Sequence, residues 1–333
     1  MPAARGLGRP VRRRARVGAI SVLALLAVTA CRDGTAGDGP STTEAATTAS
    51  AGEPGGPDLV VPIDGRPSAV AYGDGVLWVA DDGRGVVHRL DAADGSPLGP
   101  PVPVTSTPVA LDVGAGRVWV VDPGGTLTGI DAAAPERPAL SVPLGGALVD
   151  VLVEGDRVWV GDIGSGTVRS VDPATGSPSP PIVVPDGVVR LAHDDDHLWV
   201  SGLERTVTPI DLATGDVGEP VPVGLAPIGM AAHGGELWVA NSDADTVTRL
   251  RPGAAEGRTT RAVGPAPIEV AVVDDDLWVL EQEGPSLTRY PVARSDGAGT
   301  SVALPTRPRS LAVAPAGLWV AGVDGSAVVL VRT

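Results

Sequence analysis

Few side chains in this sequence could carry chemistry. The four histidines, His88, His193, His197 and His233, are its only groups that titrate near neutrality unaided. A proton-transfer site would need one of them beside a carboxylate; otherwise they read as surface residues. A second set is charged: Asp150, Arg190 and Glu269, with Ser310 at the corresponding point of another stretch. A third is Asp81, Asp122, Asp162, Asn241 and Glu281, each three residues after a tryptophan. Together these oxygens could attract a cation, a peptide amine or Ca²⁺, a hard cation that takes oxygen ligands. Asp and Asn also cap tight loops, and turn chemistry stays open as the alternative for both of these sets. No EF-hand spacing and no cofactor motif occurs, so neither a metal nor a cofactor is expected. The lone cysteine, Cys31, cannot form an internal disulfide.

These residues are positioned by a repeat. Trp78, Trp119, Trp159, Trp199, Trp238, Trp278 and Trp319 follow one another at intervals of 41, 40, 40, 39, 40 and 41. Each has Leu or Val before it and Val after it. Eleven residues earlier stands Pro67, Pro108, Pro227, Pro267 or Pro308, with Leu148 and Val188 in the remaining two units. Each unit reads as four short strands. In the first, "PSAVAY" leads through "GDG" into "VLWVA", then "DDGRG", "VVHRLD", "AADG" and "GPPVPVT". Asp-Gly pairs between alternating apolar runs are hairpin signals. No stretch of the body has a helical period.

Four strands per unit of about 40 residues, seven times over, predicts a seven-bladed β-propeller of four-stranded antiparallel blades. The last unit ends at its third strand, "SAVVLVRT". The unpaired "DLVVPID" (58–64) is predicted to complete that blade and close the ring. The tryptophans, in a chain with only two Tyr and no Phe, are then wedges between blades, each covering roughly 150–250 Å². The alternative, ligand-stacking aromatics, would require them to face the central channel.

The propeller expectation fixes where a site could be. Two residues beyond the Pro position the units carry Ala69, Ala110, Asp150, Arg190, Gly229, Glu269 and Ser310. This start of the innermost strand should line the channel mouth, and here otherwise similar repeats differ. The third set belongs to the same face. His193 and His233 fall near turns on the opposite one.

The segment before the repeats reads as an address. "MPAARGLGRPVRRRAR" is basic and "VGAISVLALLAV" is an apolar run of twelve, too short for a membrane helix of about 20 residues. "VTAC" (28–31) resembles the bacterial lipobox. That resemblance implies cleavage after Ala30, a diacylglyceryl group on Cys31 and an extracytoplasmic, lipid-anchored protein. An ordinary secretory signal is the alternative. Residues 31–57, beginning with Cys31, are mostly Gly, Ser, Thr, Ala and acid with no large apolar residue, the composition of a flexible tether. The expected organisation is therefore 1–30 signal, 31–57 linker, 58–333 propeller.

Net charge is −15, and removal of the six arginines before Cys31 deepens it to −21. So acidic a body repels a phosphate backbone, which excludes a nucleic-acid partner.

The units "LWVANSDADTVTRLR" (237–251), "VWVGDIGSGTVRSVD" (158–172) and "LWVADDGRGVVHRLD" (77–91) resemble the YVTN repeat of YncE-like propellers, with Trp in place of Tyr. The resemblance covers about 58–333. It implies a module that binds a protein, peptide or small molecule. Streptogramin lyases share this sort of repeat and use His and Glu on the ligand face with Mg²⁺. A propeller hydrolase or lyase of that type is the alternative to a binding or scaffold module, although no matching His–Glu arrangement is found on that face; the cofactor motifs of quinoprotein dehydrogenases are absent.

Overall fold

Alternation of apolar and polar residues, cut every few positions by Gly, Asp or Pro, leaves strands as the only regular solution. The computed structural model of the chain contains seven antiparallel sheets. It describes residues 50–51, 55–104, 107–137, 139–251, 258–294, 297–322 and 326–333. These lie within one unit, Glu44–Thr333. The predicted signal, Cys31 and nearly all of the predicted linker fall outside the described residues.

Blade 1 comprises Pro67–Gly73, Val76–Asp81, Val86–Asp91 and Val102–Pro103. Blades 2 to 6 repeat this plan, with inner strands Ala110–Gly114, Leu148–Glu154, Arg190–His193, Pro227–His233 and Pro267–Val273. Turns between the first and second strands are tight: Asp74 and Gly75 both have positive φ (51° and 83°), the geometry that suits a two-residue hairpin.

Blade 7 is built from both ends of the chain. Pro308–Ala314, Gly317–Gly322 and Ala327–Val331 are joined by Leu59–Pro62, which pairs antiparallel with Ala327–Leu330. The ring closes as the sequence predicts. One detail differs: pairing starts before residue 58, since Ser50–Ala51 adds a short strand to Leu59–Val60. The outer edge of blade 7 offers unpaired N–H and C=O groups, and a passing extended segment satisfies some of them.

The tryptophans are 0–5 % exposed, and each packs on the following blade. Trp78 sits with Leu111, Val118 and Val120 of blade 2, Trp119 with Val151, Val158 and Val160 of blade 3, and Trp319 with Leu77, Val79 and Leu90 of blade 1. Seven clusters fill seven seams in this way, so the core is a circle of wedges around a central channel. The indoles face the seams and not the channel.

Candidate functional site

The channel is formed by the inner strands. In blades 1, 3, 5, 6 and 7 the pairing slips just after the first residue, between Pro67/Ala69, Leu148/Asp150, Pro227/Met230, Pro267/Glu269 and Pro308/Ser310. Such bulges redirect a side chain. All seven residues two beyond the Pro position, including Asp150, Arg190, Glu269 and Ser310, line one cavity of about 350 Å³. That lies at the lower end of the range for small-molecule sites.

Each polar member is held by an adjacent blade. Leu191 N–H donates to Asp150 Oδ2 (2.7 Å), Leu311 N–H to Glu269 Oε2 (2.5 Å) and Val70 N–H to Ser310 Oγ (3.2 Å). Arg190 donates from a terminal guanidinium nitrogen to the Val149 carbonyl (3.2 Å). An inner strand is paired on one side only, so its channel-facing N–H groups need acceptors. These side chains supply some of them. At Gly229 there is no room for any side chain: a Cβ would lie 2.5 Å from Glu269 Cα and from the Ile268 carbonyl oxygen.

Asp112, deeper in the channel, lies outside the sets that the sequence marks. It accepts from Val153 N–H of the next blade (2.7 Å) and from Val113 N–H (2.8 Å). A signal for it exists: four residues beyond the Pro position the other units carry Ala71, Leu152, Ala192, Ala231, Ala271 and Ala312.

The channel alters these acids. Burial pushes Glu269 up to about 7, helped by the negative charge of Asp150 and opposed by Arg190 and the Leu311 N–H. Burial likewise raises Asp150, against Arg190 and the Leu191 N–H. Asp112 is pushed up to about 6, mainly by burial and further by Asp150, while N–H donors and His193 oppose the rise. These carboxylates are only partly exposed, and the surrounding protein solvates a charge less well than bulk water does.

The third set has another role. Asp81, Asp122, Asp162, Asn241 and Glu281 are 0–6 % exposed. Asp81 Oδ1 accepts from the backbone N–H groups of Arg66, Gly83 and Arg84. Asp162 accepts from Ala147, Gly164 and Ser165; burial would raise it, but these donors outweigh burial and hold it below the usual value. Glu281 takes the hydroxyls of Ser286 and Thr288 and the N–H of Gly264. Asn241 accepts from Gly224 N–H and donates to Thr248. Among the described residues Asp122 takes one long bond, from Thr126 N–H at 3.4 Å. These side chains tie the loops of that face together from beneath, which is the loop-capping alternative.

The histidines are dispersed. His88 lies 3.2 Å from buried Asp81, and His197 lies 3.3 Å from Asp194 beside Trp199. His193 Nδ1 is 2.9 Å from Glu154 Oε2, out of line for a hydrogen bond, at the end of the channel that carries the first turns. His233 is exposed, and no bond joins it to His193 among the described residues. No cluster of three or more His, Cys, Asp and Glu with metal-holding geometry occurs among the described residues.

The closed ring and its channel allow comparison with solved proteins. The chain has the seven-bladed propeller fold. Virginiamycin B lyase from Staphylococcus aureus is similar with a TM-score of 0.70 and 14% identity, over 82% of this chain and 98% of that one. A streptogramin B lyase structure gives 0.70 and 15%, over 82% and 95%. Kuenenia stuttgartiensis hydrazine synthase gives 0.70 and 15%, over 81% and 96%. Identities this low establish the propeller fold and nothing finer. No protein-family model and no curated protein matches the sequence.

Proposed function

We propose that this propeller is a binding module that takes its ligand in the central channel and is held outside a bacterial membrane by a lipid on Cys31. One observation carries the binding reading: three charged side chains, Asp150, Arg190 and Glu269, open into a single cavity at positions where the repeats differ. Positions the repeats share, such as the tryptophans, fill the seams. Pockets with a few convergent polar groups and displaced pKa values are where ligands bind.

The test is the triple variant Asp150→Asn, Arg190→Gln, Glu269→Gln, which keeps acceptors for the Leu191 and Leu311 N–H groups. Proteins and small molecules that co-purify with it and with wild type are compared by mass spectrometry. The variant is expected to lose at least one of them; an identical set would sink the channel as the site.

The anchor rests on the basic segment, the apolar run and "VTAC" (28–31). Cys31→Ala should move the protein from the membrane pellet to the soluble fraction, and retention in the pellet would end the anchor reading. A lyase reading calls for a His–Glu pair on the loop face. Binding is preferred because the close His193–Glu154 approach belongs to the turn end.

A further inference from the structure

We propose that the channel ligand carries a protonated amine together with a carboxylate, as a free amino acid or a short peptide does; this rests on the channel being the binding site. The channel's charged groups face one another without touching. No ion pair within 4.0 Å among the described residues involves Asp112, Asp150, Arg190 or Glu269. Arg190 nevertheless acts through space on both Asp150 and Glu269. Opposite charges in a narrow bore normally collapse onto each other. Here each is clamped to a blade: Asp150 by Leu191 N–H, Glu269 by Leu311 N–H, and Arg190 by the Val149 carbonyl. Glu269 Oε1 takes no hydrogen bond among the described residues.

A gap is thus held open between a guanidinium and carboxylates. Preorganised groups of this kind bind with little loss on ordering. The signs then select the ligand. A purely cationic guest is attracted by the acids but repelled by Arg190. A purely anionic guest meets Arg190 but lies beside Asp112, Asp150 and Glu269, each of which repels it once ionised. A guest with both charges matches both, its ammonium at Glu269 and Asp150 and its carboxylate at Arg190, where paired hydrogen bonds to a carboxylate are favoured. The size of the cavity, about 350 Å³, suits such a small molecule.

The experiment is calorimetric titration of the full chain with three probes. They are glycylglycine, N-acetylglycylglycine without the ammonium, and glycylglycinamide without the carboxylate. Saturable binding of glycylglycine is expected, with both blocked probes at least about tenfold weaker, since one charge-assisted hydrogen bond is worth about that factor. Arg190→Gln and Glu269→Gln should each weaken glycylglycine by a similar factor, and Arg190→Lys should recover part of it. Equal affinity for all three probes, or no heat with glycylglycine, overturns the proposal. If glycylglycine fails while the triple variant still loses its co-purifying molecules, the ligand class is wrong and the binding module stands. If both fail, the channel is not the site.

Discussion

Removing Leu59–Pro62 from blade 7 should cost nearly the whole stability of the fold. The strand makes four paired positions with Ala327–Leu330. Around it, Asp58 N–H donates to the Leu330 carbonyl (2.8 Å) and Ile63 N–H to the Ser326 carbonyl (2.6 Å). Val61 and Ile63 are 0 % and 4 % exposed, in the cluster that holds Trp319 against blade 1. Burying each of these aliphatics is worth about 1.5–3 kcal/mol, and each backbone bond nets about 0.5–1.5 kcal/mol. Deleting 58–64 therefore removes on the order of 5–12 kcal/mol, against a usual total of about 5–15 kcal/mol. Val61→Ala is a milder perturbation and should cost about 2 kcal/mol, two methyl groups plus the void. A deletion of equal length within 32–48, where the sequence has no large apolar residue, should cost under about 0.5 kcal/mol. Urea unfolding followed by tryptophan fluorescence measures all three. Equal midpoints for the two deletions would refute closure as the source of stability.

Other outcomes follow from the seams and the bore. Trp199→Ala should cost about 3–5 kcal/mol in the same assay, because its ring fills the seam with Leu237, Val239 and Leu250; an unchanged midpoint would mean it is no wedge. Gly229→Ala should cost about 1–3 kcal/mol, because its methyl meets the backbone of blade 6, and a neutral result would show that this seam is slack. Glu269, raised from 4.5 to about 7, binds its proton more tightly folded than unfolded. Its contribution is full below about pH 4.5 and is lost as pH rises through about 7, at most about 3 kcal/mol. Glu269→Gln should flatten that slope in pH-dependent unfolding; an unaltered slope would count against a shifted carboxyl.

Fold and site differed in how plainly the sequence displayed them. Seven tryptophans at one period were readable because each seam solves the same packing problem with the same residue. Asp150, Arg190, Glu269 and Ser310 could be located in the bore because disagreement at one repeat position is visible without coordinates. Asp112 obeyed the same rule two residues deeper, where its counterparts are five Ala and Leu152. Asp81, Asp162 and Glu281 could not be assigned from sequence. An Asp after a strand looks the same whether it faces solvent or points under a loop, and only the positions of the Arg66, Ala147 and Gly264 N–H groups decide between the two. Bulges such as the one between Leu148 and Asp150 leave no mark in composition, because the extra residue changes the pairing and not the alphabet.

The bonds that Asp150, Glu269 and Ser310 make to neighbouring inner strands separate two properties that binding sites usually entangle. At these three seams the side chain serves as an acceptor, a role that does not need a charge. Asn for Asp, Gln for Glu and Thr for Ser all retain one. The lining can therefore be shifted from acidic toward neutral with the same N–H groups still held, so that selectivity can be retuned by protein engineers, or drift in related chains, while the circle of blades stays as it is.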